Sequence, residues 1–88
     1  MIVVVLRQFQ KDLQKQASTE LNNEVLSLIE LLEEANSIRE LSNVKKMKGF
    51  SNYYRIRIGD YRVGCRVEKN TIELMRLAHR KDIYSIFP

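Results

Sequence analysis

Two kinds of apolar pattern divide the chain, and the change between them falls near residue 44. Before it, the clearest pattern has a helical period, with one apolar stripe made of Leu21, Val25, Leu28, Ile29 and Leu32. After it, apolar and polar residues alternate along most segments, which is typical of strands with one buried face. The pattern therefore predicts helices followed by a sheet.

Finer signals divide each half into elements. Residues 1–6 predict a first strand, and Phe9 and Leu13 lie four residues apart, as in a short helix. Ser18 or Thr19 is the natural N-cap of the second helix. The polar segment 34–44 predicts a connection with at most one helical turn. Segment 43–49 is strand or strand-like, and three strands follow it, at 52–58, 61–68 and 71–78.

The order of elements indicates the fold class. We expect β-α-α-β-β-β, an α+β domain in which an αα-hairpin packs on one face of an antiparallel-rich sheet. A chain of 88 residues suits a single domain, residues 1–88, with a modest core.

The segment "YYRIRIGDYRVGCR" predicts a β-hairpin whose turn is Gly59-Asp60, and the register follows by counting outward from that turn. One face then points to the core and carries Tyr54, Ile56, Ile58, Tyr61, Val63 and Cys65. The other face carries three arginines, with Arg57 directly opposite Arg62. Gly64 is expected to leave open space beside Arg55.

Like charges that face one another across a sheet are destabilising, whereas a favourable pair contributes roughly 0.2–1 kcal/mol. Arginine cannot shed its charge near neutral pH. An anion between the guanidinium groups removes the repulsion, and phosphate suits their bidentate geometry. The arginine face is therefore a candidate phosphate site. The alternative is a solvated face on which salt screens the repulsion.

Charge is distributed unevenly along the chain, whose net charge is +4. Residues 1–44 carry four basic and seven acidic side chains, whereas residues 45–88 carry eleven basic and four acidic ones. A basic half on an otherwise acidic chain is typical of proteins that bind an anionic partner, most often nucleic acid. The alternative is a solubilising surface.

Cysteine usage and hydropathy exclude several classes of protein. The single cysteine, Cys65, rules out an internal disulfide, and no Cys/His cluster has zinc spacing. We interpret Cys65 as a small core residue, because nothing in the sequence places a base beside it. The apolar run at residues 2–5 is too short for a membrane span or a signal peptide. We expect a cytoplasmic protein without metal or cofactor.

The C-terminal segment brings further candidates for chemistry. His79 is the only histidine, and it emerges on the arginine face if the alternation from Glu73 continues. An imidazole can serve as a proton donor or acceptor. Arg80 and Tyr84 are four residues apart, so one helical turn places them on the same side. Tyr84 can stack on a base. The alternatives are a capping histidine and a packing tyrosine, although the expected tail anchors are Ile83, Ile86 and Phe87.

The predicted element order, "KGFSNYYRIRIGDYRV" and "AHRKDIY" together resemble the RelE/ParE superfamily of toxins over nearly the whole chain. The resemblance implies a toxin of a type II toxin–antitoxin system, held inactive by a cognate antitoxin. RelE-like members are metal-independent, ribosome-dependent endoribonucleases that cut mRNA. ParE-like members poison DNA gyrase instead. The expected partners are therefore an antitoxin and, for the RelE branch, the ribosome and mRNA.

The resemblance to the RelE branch implies six catalytic residues, namely Arg55, Arg57, Arg62, His79, Arg80 and Tyr84. The three hairpin arginines would hold the scissile phosphate, and Arg80 would offset charge on the leaving oxygen. The implied RNA-binding residues are these three arginines with Lys45, Lys46, Lys48 and Lys81. The best-studied RelE branch has lysines in place of Arg55 and Arg57. An arginine cannot act as the base, so the identity of the base stays open and His79 becomes a stronger candidate for it.

Two alternatives to an mRNA nuclease stay open. The same superfamily fold serves a gyrase-directed toxin, and a basic sheet face can also belong to an RNA-binding module that cleaves nothing. Such a module predicts salt-sensitive RNA binding without cleavage.

Overall fold

The computed structural model describes residues 1–88. Its elements are β1 (Ile2–Val5), α1 (Arg7–Gln16), α2 (Thr19–Glu34), a 3-10 turn (Ile38–Glu40), β2 (Val44–Lys46), β3 (Tyr53–Ile58), β4 (Tyr61–Glu68), β5 (Thr71–His79) and α3 (Ile83–Ile86). The predicted α+β class is confirmed. The structure adds a terminal helix to the predicted order. It also shows that the segment predicted to be strand or strand-like contains a three-residue strand, β2.

The five strands form one sheet in the order β1-β5-β4-β3-β2. Strands β2 to β5 pair antiparallel, whereas β1 pairs parallel with β5, so the sheet is mixed but rich in antiparallel pairs. A parallel pair needs a long crossover, and here residues 6–70 lie between its two strands. Two edges remain, at β1 and at β2.

The main core lies between one sheet face and the helices α1 and α2. The apolar stripe of α2 supplies Leu21, Val25, Leu28 and Leu32, all buried, with Ile29 packed at the margin. Sheet residues complete the cluster, including Ile56, Val63, Ile72, Leu74 and Leu77. Ser18 caps α2, because its hydroxyl accepts a hydrogen bond from the Leu21 N–H at 3.1 Å. The helical stripe predicted from the sequence is therefore confirmed.

The register of the β3–β4 hairpin matches the prediction at every pair. Arg57 lies opposite Arg62, and Arg55 lies opposite Gly64. Gly59 opens the two-residue turn with a φ of 59°, in the left-handed region that favours glycine.

A β-bulge interrupts the pairing of β4 with β5. Cys65 lies opposite Leu74, but its neighbour Gly64 lies opposite Arg76, so Met75 is one extra residue in β5. Such an insertion reverses the side-chain alternation of the bulged strand with respect to its partner. Leu77, Ala78 and His79 therefore point to the faces opposite to those that simple counting from Glu73 predicts.

The bulge places His79 on the helix face of the sheet. His79 lies opposite Tyr61, which packs against the main core under the helices. The prediction that His79 emerges on the arginine face is wrong, because it assumed unbroken alternation from Glu73.

The C-terminal segment covers part of the other sheet face. Ala78, Ile83 and Phe87 form a second buried cluster, against which Met47, Tyr53, Met75 and Ile86 pack. The expected tail anchors, Ile83, Ile86 and Phe87, are confirmed. None of the helices is long and apolar enough to cross a membrane.

A partly buried ion pair joins α1 to the bulged strand. The Asp12 carboxylate accepts hydrogen bonds from Arg76 Nε at 2.8 Å, from the Leu77 N–H at 2.9 Å and from Gln8 at 3.1 Å. Burial alone would raise the pKa of Asp12, but these hydrogen bonds and the charge of Arg76 outweigh it and lower that pKa. The charged form of Asp12 therefore stabilises the fold.

Asp12→Asn is expected to lower the free energy of unfolding by on the order of 2 kcal/mol at neutral pH. This expected loss of stability is smaller than the loss on breaking a fully buried ion pair, because Asp12 and Arg76 both keep some contact with water. The pKa of Asp12 is lower in the folded state. Its contribution is therefore complete above the unfolded pKa, about 3.9, and is lost as the pH falls through the folded pKa.

Urea titrations at several pH values measure this difference between wild type and Asp12→Asn. The exposed Glu30→Gln on α2 is the matched control and should change little. A difference for Asp12→Asn that stays constant into strong acid would contradict the assignment.

Candidate functional site

A groove on the uncovered part of the arginine face collects much of the predicted site. It is lined by Ser42, Asn43, Val44, Lys45, Arg55, Arg57, Arg62 and Tyr84. Three strands and the terminal helix contribute to it. The structure therefore brings together four of the six predicted catalytic residues and, with Lys45, four of the seven predicted RNA-binding residues.

None of the four cations in the groove has a carboxylate partner. The three ion pairs of the structure join Arg66 to Glu68, Arg66 to Glu73, and Arg76 to Asp12, all elsewhere. The groove also contains a second like-charged pair that sequence reasoning missed, because Lys45 of β2 lies opposite Arg55. Positive charge that the fold leaves uncompensated attracts anions.

The hairpin turn holds the guanidinium of Arg62 in place. Its Nη1 donates hydrogen bonds to the Gly59 carbonyl at 3.1 Å and to the Tyr61 carbonyl at 3.0 Å. The remaining N–H groups of this side chain have no acceptor in the chain and are free to bind an anion. Two backbone acceptors thus orient Arg62 before any ligand arrives.

Asn43 lines the groove and fixes the backbone of Arg57. Its carbonyl accepts from the Arg57 N–H at 2.9 Å, and its side-chain amide donates to the Arg57 carbonyl. These bonds extend the β2–β3 pairing by one residue. Asn43 was not predicted, because no periodicity marks it, and only the register of β2 places it opposite Arg57.

Tyr84 stands at the rim of the groove, with 72% of its surface exposed. The Arg55 guanidinium lies over its ring, with Cζ 4.5 Å from the ring centroid. Hydrogen bonding and charge from Arg55 lower the pKa of the Tyr84 hydroxyl, and Lys45 and Arg62 lower it further. The alternative of a packing role is wrong, since that role belongs to Phe87 and its neighbours.

The space beside Arg55 is filled, which corrects the prediction that Gly64 leaves it open. A Cβ on Gly64 would lie 2.5 Å from Cγ of Phe87 and 2.6 Å from two further ring atoms. The Phe87 ring therefore lies directly on the Gly64 backbone. This contact anchors the tail that carries Tyr84.

The structure places His79 away from the groove. Its ring packs edge-on against Tyr61 on the helix face, with the ring centroids 5.6 Å apart. Its Nδ1 accepts a hydrogen bond from the Lys81 N–H at 3.2 Å, and the Tyr61 hydroxyl donates to Gln16 at 2.9 Å. The observed contacts match the capping alternative.

The other predicted basic residues also lie outside the groove lining. Arg80 precedes α3, which begins at Ile83, so the prediction that one helical turn aligns Arg80 with Tyr84 is wrong. The Arg80 N–H instead donates to the Asp60 carbonyl at 2.7 Å, beside the hairpin turn. Three exposed lysines, Lys46, Lys48 and Lys81, likewise do not line the groove.

Cys65 is buried in the main core, as the sequence predicts. Burial raises the pKa of its thiol to about 12, so it remains protonated at neutral pH. Its Sγ donates to the Tyr54 carbonyl at 3.5 Å.

Comparison with known proteins identifies the class. Residues 3–84 match the family described as ParE toxin of type II toxin–antitoxin system, parDE. The protein Toxin RelE3 of Methanocaldococcus jannaschii is 42% identical over 89 residues, which covers 100% of both chains.

Solved structures with a similar fold include two from archaeal toxin–antitoxin complexes. One is a RelB-RelE antitoxin-toxin complex from Methanococcus jannaschii, with 39% identity and a TM-score of 0.81, covering 97% of this chain and 99% of that one. The other is a RelE-RelB complex from Pyrococcus horikoshii OT3, with 30% identity and a TM-score of 0.74, covering 90% and 93%.

The fold and these matches together show that the protein is a toxin. The chain belongs to the ParE toxin family of type II toxin–antitoxin systems. The archaeal RelE proteins, similar over nearly their whole length, indicate a toxin of the RelBE type within that family.

Gly64→Ala is expected to push Phe87 off the sheet and release α3, because the new Cβ cannot share the space of the ring. Overpacking of this kind costs about 1–3 kcal/mol. Thermal unfolding measures the cost, and the chemical shifts of Tyr84 report the loss of its place over Arg55.

A double-mutant cycle isolates the contact. In a Phe87→Ala background the clash is absent, so Gly64→Ala should cost far less than in wild type. Equal costs in both backgrounds would contradict the anchoring role of this contact.

Proposed function

We propose that this toxin is an endoribonuclease that cleaves mRNA on the ribosome, and that the groove binds the scissile phosphate. The observation that carries the proposal is the set of cations without carboxylate partners around an exposed aromatic ring. Arg55, Arg57, Arg62 and Lys45 converge on the groove, with Tyr84 at its rim. A phosphate group can bind the cations, and a nucleotide base can stack on the Tyr84 ring, so RNA offers a ligand for each.

The proposed reaction uses the nucleophile that RNA carries. The 2′-hydroxyl gives its proton to a base and attacks the adjacent phosphate in line. The bond to the 5′-oxygen breaks, and that oxygen takes a proton from water. The products end in a 2′,3′-cyclic phosphate and a 5′-hydroxyl. The phosphate gains negative charge in the transition state, and the groove arginines stabilise it. Because Arg62 is already oriented by the turn carbonyls, little reorganisation is needed when the charge develops.

Proton transfer is assigned to Tyr84 rather than His79. His79 lies on the opposite face of the sheet, against Tyr61. The Tyr84 hydroxyl is exposed at the rim, and the neighbouring cations lower its pKa. Its place at the rim beside the arginines makes this hydroxyl the proposed proton acceptor for the 2′-hydroxyl. Exposed Arg80 and Lys81 are proposed to contact the RNA backbone beyond the groove.

The proposed protein partner is a cognate antitoxin, as in the RelB-RelE complexes of the archaeal relatives. Acidic side chains of such a partner would neutralise the groove and block access of RNA to it.

A second candidate function is inhibition of DNA gyrase, because the matching family is described by the name ParE. Primer extension on cellular mRNA after induction of the toxin separates the two. Discrete cuts within translated codons support the nuclease. Intact mRNA with an SOS response supports the gyrase inhibitor, and RNA binding without cleavage supports a non-catalytic module.

Arg62→Ala is expected to reduce the cleavage rate by about 10²–10³, the typical cost of losing one transition-state donor. The fold should persist, because Arg62 makes no ion pair and lies on the face away from the main core. Single-turnover cleavage of ribosome-bound mRNA measures the rate. Exposed Arg39 is the control, and Arg39→Ala should stay near wild type. An Arg62→Ala variant that is stable and cleaves mRNA at the wild-type rate would contradict the proposal.

Two variants, Tyr84→Phe and His79→Gln, together test whether Tyr84 or His79 accepts the proton. Removing the Tyr84 hydroxyl should slow cleavage by about 10²–10⁴ and flatten the rise of rate with pH, because the proton acceptor is lost. His79→Gln should leave the pH profile unchanged. A pH profile that changes only in His79→Gln would return the role of base to the histidine.

A further inference from the structure

We propose that Phe50, with Lys46 and Lys48, forms a second nucleotide subsite that stacks an unpaired base of the same RNA strand. This proposal rests on the proposed function in one respect, because it takes the RNA substrate of the toxin as the ligand of the subsite. No residue of the predicted catalytic set belongs to this subsite.

Three aromatic rings form a row across the sheet face beside the groove. Phe87 is buried and stacks on Tyr53, with the ring centroids 5.7 Å apart. Tyr53 in turn contacts Phe50, with a centroid distance of 6.1 Å. Phe50 ends the row and is 49% exposed. The inner rings therefore support the tail, whereas the outer ring keeps surface available to a ligand.

The row is continuous with the phosphate site. Tyr53 precedes Arg55 by two residues in β3, so the two side chains share one face about 7 Å apart along the strand. Phe87 covers Gly64, which lies opposite Arg55. An RNA strand whose phosphate lies among the arginines can thus extend along the row toward Phe50.

The surroundings of Phe50 are cationic. The depression at this loop is lined by Lys46, Met47, Lys48, Gly49, Phe50 and Ser51, with no acidic residue. Neither lysine makes an ion pair. An exposed ring beside free cations is the combination that binds single-stranded nucleic acid, because the ring stacks on a base while the cations contact the backbone.

Tryptophan fluorescence tests the subsite directly, because the chain contains no tryptophan. Phe50→Trp introduces a single reporter, and stacking on a base is expected to quench its emission. The probe is a short adenine-rich oligoribonucleotide with 2′-O-methyl groups. It lacks the nucleophile and cannot be cut, so failure of this proposal is distinguishable from failure of the proposed nuclease activity.

Two controls decide what occupies the subsite. Leu26→Trp, at an exposed position on α2, should show no quenching with the same probe. An abasic oligonucleotide of the same backbone should bind without quenching Phe50→Trp. Polyglutamate serves as a second probe that represents an acidic protein partner. If it quenches the emission of Phe50→Trp and the oligoribonucleotide does not, the proposal is overturned in favour of such a partner. Equal quenching by the abasic strand would also overturn it.

Truncation separates stacking from packing on Tyr53. Phe50→Ala and Phe50→Leu should each weaken binding of the probe by about tenfold, or about 1.4 kcal/mol, which lies within the range lost with one stacked base. Leucine keeps an apolar contact with Tyr53 but cannot stack on a base. Wild-type affinity in Phe50→Leu would overturn the proposal, whatever the thermal stability of the variant.

Discussion

Arg57 and Arg62 face one another because the two-residue turn at Gly59 leaves the hairpin a single register that buries its apolar face. On the other side of the same strands lie Ile56 and Val63, both fully buried. A slip by one residue would separate the arginines, but it would also move those core residues into water, at about 1.5–3 kcal/mol each. That cost exceeds the repulsion between two partly exposed charges. The fold therefore maintains a like-charged pair that an anion can stabilise.

The remainder of the structure shapes what can reach that pair. The helices cover one sheet face, and the tail covers part of the other, where Phe87 lies on Gly64 and holds Tyr84 beside Arg55. The bulge at Met75 turns the side chain of His79 to the helix face, away from the arginines. The groove is consequently rich in fixed positive charge, and its one exposed titratable hydroxyl belongs to Tyr84. This composition favours stabilisation of a phosphate over conventional catalysis by histidine.

The hairpin could be predicted from the sequence because its turn and alternation are local signals. The position of His79 could not, since Met75 has no distinctive residue type that marks a bulge in an apolar strand. The contact of Phe87 with Gly64 and the ion pair of Asp12 with Arg76 were missed for another reason. Their partners are distant along the chain, 64 residues apart in the case of Asp12 and Arg76, and only the three-dimensional fold brings them together.

A double-mutant cycle between Arg57 and Arg62, measured by chemical unfolding at low salt, tests whether the two arginines repel one another and whether an anion relieves that repulsion. With single and double alanine variants, we expect an unfavourable coupling of roughly 0.2–1 kcal/mol without ligand. A saturating uncleavable oligoribonucleotide should abolish or reverse that coupling, because one phosphate then binds both guanidinium groups. A coupling that is absent without ligand would show that the two arginines do not repel one another, and a coupling that the oligoribonucleotide leaves unchanged would show that no phosphate binds between them.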